Sequence, residues 1–125
     1  MGRYNKNLGD FGENFAVDFL LENGYEILER NYKTKSGEID IIASIENTLV
    51  FVEVKTRSSE KYGQPSEAVD YKKRKHMLSA SEEYYSEAMP YSEIRFDVIE
   101  IIAKQLSDGE VVLHRLNHIE GVIMD

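Results

Sequence analysis

The chain has 125 residues, 42% of them hydrophobic and 30% charged, the proportions of a globular domain with its own core. It has no cysteine, which excludes a disulfide framework, a thiolate zinc site and a cysteine nucleophile. With 15 basic and 23 acidic side chains the formal net charge is -8, so any phosphate-binding role must rest on local groupings and bound cations rather than on overall charge.

The first residues, Met1-Gly2-Arg3-Tyr4-Asn5-Lys6, are polar and lack the apolar stretch of a signal peptide. Lys6 stands where a myristoylation signal requires Ser or Thr. The longest apolar runs, around Leu49–Val52 and Val98–Ala103, are too short to span a bilayer. A cytoplasmic protein without membrane contact is expected, with residues 1–125 as a single domain.

From Leu8 to Asn23 the spacing of Leu8, Phe11, Phe15, Ala16, Phe19 and Leu20 predicts an amphipathic helix, which Gly24 ends. Three strand-like segments follow, Tyr25–Lys33, Glu38–Ser44 and Thr48–Thr56, separated by turns at Ser36-Gly37 and Glu46-Asn47. Connections this short require antiparallel neighbours, hence a meander. In the third strand Val50, Val52 and Val54 take one face, and Leu49, Phe51, Glu53 and Lys55 the other.

A polar loop with Gly63 and Pro65 leads to a second helix, Ser66–Ala88, whose buried side includes Val69, Met77, Ala80, Tyr84 and Ala88. Pro90 ends it. A fourth strand, Glu93–Ala103, holds the dense run Val98–Ile102 of a sheet interior. The turn at Asp108-Gly109 introduces a last strand, Glu110–Leu116. The second helix is long enough to return the chain to a parallel fourth strand. The expected fold is α/β, an αβββαβ core with one added strand: a mixed sheet flanked by helices.

Charged residues interrupt two of these apolar strands. Asp40 sits among isoleucines in Gly-Glu-Ile-Asp-Ile-Ile-Ala, and Glu53 and Lys55 end the valine-rich third strand. Such charges are costly unless paired or bound to metal. Glu53 and Lys55 share a face by their two-residue spacing, and Asp40 lies on the neighbouring strand. Two carboxylates suit Mg²⁺ or Mn²⁺, which keeps waters for a substrate phosphate. Lys55 could orient a water or stabilise developing negative charge, and Val54 could add its carbonyl. The plain alternative is a structural ion pair, since Glu-x-Lys alone is common on exposed strands.

Asp40, twelve intervening residues and then Glu53-Val54-Lys55 resemble the PD-(D/E)xK nuclease signature, with Ile39 in the place of its proline. More of the chain resembles the bacterial YraN family: Gly9-Asp10-Phe11-Gly12-Glu13, Arg30-Asn31, Gly37–Ile42, Phe51–Arg57, Glu67-Ala68-Val69, Arg95-Phe96-Asp97-Val98 and His118. The resemblance implies a restriction endonuclease-like fold and a Mg- or Mn-dependent endonuclease. Its substrate would be nucleic acid, DNA rather than RNA, branched or damaged forms included. Asp40 and Glu53 would bind metal with Lys55 beside them, and Glu13 of the first helix would complete the acidic cluster. It also admits a homodimer whose two sites cut opposite strands.

Each supporting residue has a plainer reading as well. Glu13 could be a solvated carboxylate near a helix N-terminus, and Glu38 a further ligand or a solvent-facing strand start. Gln64 could border the site or serve a turn. Arg57 and the cluster Lys72, Lys73, Lys75 are the candidate phosphate contacts, with Lys33, Lys35 and Lys61 as a wider rim. A charge run on a helix is otherwise a solvated face. The competing function is a non-catalytic module that grips nucleic acid or a protein through a nuclease fold.

Overall fold

The computed structural model describes residues 2–58, 71–86 and 89–122, with the backbone alone at residues 2–8. The side chain of Leu8, and Lys61, Gly63, Gln64, Pro65, Val69 and Ala88, lie outside the described residues. The apolar spacing of the first segment folds as helix α1, Gly2–Glu22, which begins earlier than the side-chain pattern suggests. Ala16, Val17 and Leu20 are buried, and Phe11, Phe15 and Phe19 pack around them. Gly24 closes the helix at φ 88°. There the Tyr25 N–H donates to the Leu20 carbonyl at 3.0 Å and the Gly24 N–H to Leu21 at 3.2 Å, a Schellman cap that only a residue tolerant of positive φ completes without strain.

The meander follows as β1 Glu26–Lys33, β2 Glu38–Ile45 and β3 Thr48–Arg57. Thr34 shapes the first turn, its Oγ1 accepting the N–H groups of Ser36 at 3.0 Å and Gly37 at 3.1 Å. Helix α2, Tyr71–Tyr84, then crosses to β4, Glu93–Gln105, and β5 runs Val111–Ile119. The sheet order is β1-β2-β3-β4-β5. Only β3 and β4 are parallel, in unbroken register from Thr48↔Glu93 to Arg57↔Ile102. The α/β architecture with a mixed sheet is as the sequence implies.

The two-residue period of β3 assigns one helix to each face. Val50 and Val52 share a core with Ile99, Ile101 and the α1 residues. Leu49 and Phe51 share another with Ile39, Ile42 and Ala80 of α2. The last strand extends past Leu116 to Ile119, because its end is tied inward by a buried network. His118 Nε2 lies 2.7 Å from Oδ2 of the buried Asp97, and Arg95 donates to both carboxylate oxygens at 2.8–2.9 Å. Burial opposes the Asp97 charge, but these bonds and the Gly121 N–H hold its carboxyl below the usual range. Among the described residues no helix is long and apolar enough to cross a membrane.

Helix α1 comes close against the sheet where Gly12 faces Thr56. A Cβ at Gly12 would overlap Thr56 Oγ1 and lie 2.8 Å from Thr56 Cβ, whereas one at Gly9 meets nothing within 4 Å. Gly9→Ala is therefore expected to stabilise the fold by about 0.5–1 kcal/mol through helix propensity. Gly12→Ala should destabilise it by about 1–3 kcal/mol through overpacking. Chemical denaturation of both variants checks this, and equal effects at the two positions would refute the close approach.

Candidate active site

Strands β2 and β3 pair from Ile45↔Thr48 to Ile41↔Val52, and there the ladder stops. The next residue, Asp40, substitutes its side chain for the next main-chain bond: Oδ2 accepts the Val54 N–H at 2.9 Å. The flanking residues show the same break. Ile39 packs with Ile42 on the α2 side, while Ile41 belongs to the α1 side, so the alternation of faces shifts by one residue around Asp40.

Glu53 is the next acid along β3 and is only 3% exposed. Two ammonium groups flank it: Lys55 Nζ lies 3.6 Å from Oε1, and Lys73 Nζ of α2 lies 3.4 Å from Oε2. Oε2 is nevertheless buried without a hydrogen-bond partner among the described residues, an expensive state for a carboxylate. Burial first, then the charge of Glu53 and a hydrogen bond with it, push the Asp40 carboxyl up to about 7 against the opposing Val54 N–H and Lys73. The two acids thus resist simultaneous ionisation, as closely placed carboxylates do.

The polar row continues across the parallel junction. Glu100 of β4 is in register with Lys55 and is 2% exposed. Its Oε2 lies 3.6 Å from Arg57 Nε, and its Oε1 accepts Asn117 Nδ2 of β5 at 3.3 Å. Arg57, expected at a phosphate, is thus 19% exposed and turned to an internal acid. In the sequence Glu100 does not stand out, because it lies within a run that reads as sheet interior. Its signal was nonetheless that of Asp40: a lone carboxylate between isoleucines, in Val-Ile-Glu-Ile-Ile.

Glu13 does not join the pair. Its Oε1 takes hydrogen bonds from Arg30 Nε at 3.1 Å, Arg30 Nη2 at 3.0 Å and Asn31 Nδ2 at 3.0 Å. Asn31 holds φ 52° inside β1 to present its amide. Among the described residues no three His, Asp or Glu side chains form a metal-holding group, so Asp40 and Glu53 stand as a pair. Glu38 lies opposite Lys33 at the end of the β1–β2 ladder. The basic run divides: Lys73 turns to Glu53, while Lys72 and Lys75 are exposed.

The sequence model of the uncharacterised protein family UPF0102 matches residues 12–101. The chain belongs to this family, the YraN family. UPF0102 proteins of Caldicellulosiruptor bescii and Clostridioides difficile are 46% and 47% identical to it, each over 92% of this chain and 95% of their own length. One from Chlorobium phaeobacteroides is 47% identical over 94% of each chain. The span shared with the family contains Glu13, Asp40, Glu53, Lys55, Lys73 and Glu100.

The raised carboxyl of Asp40 has a consequence for stability. Between the ordinary value of 3.8 and about 7, the native state keeps a proton that the unfolded chain releases. This group therefore favours folding most at the acid end of that window, and its contribution is lost as pH rises through it. Asn in place of Asp40 cannot ionise. In chelator-treated protein, wild type should lose melting temperature relative to Asp40→Asn as pH rises from 4 toward 7. Parallel melting curves across that window would show that Asp40 titrates normally.

Proposed function

We propose that the protein is a Mg²⁺- or Mn²⁺-dependent nuclease that hydrolyses phosphodiester bonds of DNA, branched or damaged forms included. The observation that carries this reading is the buried Asp40–Glu53 pair, with Glu53 Oε2 lacking a hydrogen-bond partner among the described residues and Asp40 held up to about 7. A carboxyl raised by burial and by a neighbouring acid, as Asp40 is, is a feature of functional sites. The donor set fits a hard divalent cation: all-oxygen, anionic, and few enough to leave places for water and a phosphate oxygen.

Asp40 and Glu53 would hold the cation. Asp40 Oδ2 is already fixed by the Val54 N–H, which aims the carboxyl group. A bound divalent cation supplies Lewis-acid polarisation of the phosphoryl group and lowers the pKa of water. The chain's own residues do the rest. Lys55, 34% exposed, can approach a substrate oxygen while remaining beside Glu53, and its ammonium offsets the negative charge that grows on the phosphoryl oxygens as water attacks phosphorus. The water oxygen bonds to phosphorus as the bond from phosphorus to the ester oxygen breaks; the water's proton passes to solvent, and the departing ester oxygen takes one up from solvent. Glu100 keeps Arg57 on the far side of Lys55, so a second cation backs the same row.

Asp40→Asn and Lys55→Ala are each expected to lower metal-dependent cleavage by about 10²–10³-fold or more, with circular dichroism unchanged. A screen over single-stranded, duplex, flapped and four-way DNA, with Mn²⁺ and with chelator, provides the measurement. Cleavage by purified Lys55→Ala at the wild-type rate would eliminate the mechanism.

A further inference from the structure

Helix α2 carries two stripes. Lys73, Met77 and Ala80 follow at spacings of four and three and face the sheet: Met77 and Ala80 are buried, and Lys73 reaches Glu53. Lys72, Lys75, His76 and Ser79 form a neighbouring stripe, and all four are exposed. Facing this second stripe is the turn between β1 and β2. Turn and helix touch at Gly37, where an added Cβ would lie 2.8 Å from His76 Cβ.

Between them lies a cleft of about 520 Å³, lined by Lys35 and Ser36 of the turn and by Tyr71, Lys72, Lys75 and His76 of the helix. No acidic side chain among the described residues lines it, in a chain whose formal charge is -8. That local reversal of charge is what an anion requires and what the protein's overall charge denies it elsewhere. One aromatic ring sits among the lysines. Tyr71 is 66% exposed, with Lys75 Nζ 5.4 Å from its ring centroid. Lysines that track a backbone beside an exposed ring on which a base can stack are the elements of single-strand binding. The cleft and the carboxylate pair draw on the same two chain segments: Gly37 lies three residues before Asp40, and Lys72 precedes Lys73, which reaches Glu53.

We propose that this cleft binds the phosphates of an unpaired nucleic-acid segment, with Tyr71 stacking on a base, next to the bond that is cut. The position of that bond rests on the nuclease reading above; binding by the cleft does not.

The test is fluorescence anisotropy of short fluorescein-labelled single strands of DNA and RNA, and of the same DNA as a blunt duplex, in chelator over a range of KCl. Wild type should bind single strands more tightly than duplex. A triple variant, Lys35→Ala with Lys72→Ala and Lys75→Ala, should bind single strands at least about tenfold more weakly. Its slope of log affinity against log salt should be shallower by about 2, at ~0.7 per phosphate contact. Tyr71→Ala should weaken single-strand binding without changing that slope, and Lys104→Ala, exposed on β4, should change nothing. Unchanged affinity and slope in a folded triple variant would overturn the proposal, as would preference for duplex or equal competition by polyglutamate. Mn²⁺-induced thermal shifts are recorded in parallel: their retention in the triple variant separates the cleft from the metal site. Strand binding by a wild type that shows no Mn²⁺ shift would remove the nuclease reading and leave the cleft standing.

Discussion

Asp40 and Glu53 are brought together at the point where the β2–β3 ladder gives way from main-chain to side-chain pairing. One Asp40 oxygen replaces a carbonyl as acceptor for Val54, so the acid is part of the sheet and cannot swing away from Glu53. Each carboxylate is then buried in the field of the other. Lys55 and Lys73 offset Glu53 only as ion pairs at 3.4–3.6 Å, and its Oε2 is left without a hydrogen bond among the described residues. A divalent cation would relieve all three conditions together, which is why the pair supports a metal-dependent reading more strongly than a structural ion pair does. A purely structural role would be served better by an apolar pair of similar volume.

The parallel β3–β4 junction extends this local tension into a row. Because parallel partners in register share a face, Glu100 falls beside Lys55 and collects Arg57 and Asn117. The opposite face holds a separate network, Arg95, Asp97 and His118, which binds the chain's last strand to the core. That network is saturated with hydrogen bonds where the Asp40–Glu53 pair is not. That difference in satisfaction separates a polar cluster that completes the fold from the pair on which the proposed metal site rests.

The fold is largely legible because its signals are local: helix spacing up to Gly24, short turns, and alternation in β3 that assigns Glu53 and Lys55 to one face. The Asp40–Glu53 meeting followed from the short turn between their strands. What escaped depended on non-local pairing. Glu100 meets Lys55 only through the parallel junction, whose register no turn fixes, and Arg57 is drawn inward by that acid. Glu13 was brought to the pair by resemblance, but Arg30 and Asn31, on a strand that sequence spacing does not relate to α1, claim its carboxylate. The lysine run read as one basic cluster, although helical geometry divides it between Glu53 and the solvent-facing cleft. The acidic overall charge hides a local reversal, since Lys35, Lys72 and Lys75 are gathered at one cleft without an acidic side chain among its described lining.

In the function proposed above, Asp40 and Glu53 together hold a divalent cation. Calorimetric titration of Mn²⁺ into chelator-stripped protein tests it most directly, comparing wild type with Glu53→Gln on either side of pH 7, near the raised value of Asp40. Wild type should show one saturable site that tightens as pH rises toward that value and disappears in Glu53→Gln. Absence of binding at millimolar Mn²⁺, or a site indifferent to Glu53→Gln, would contradict it.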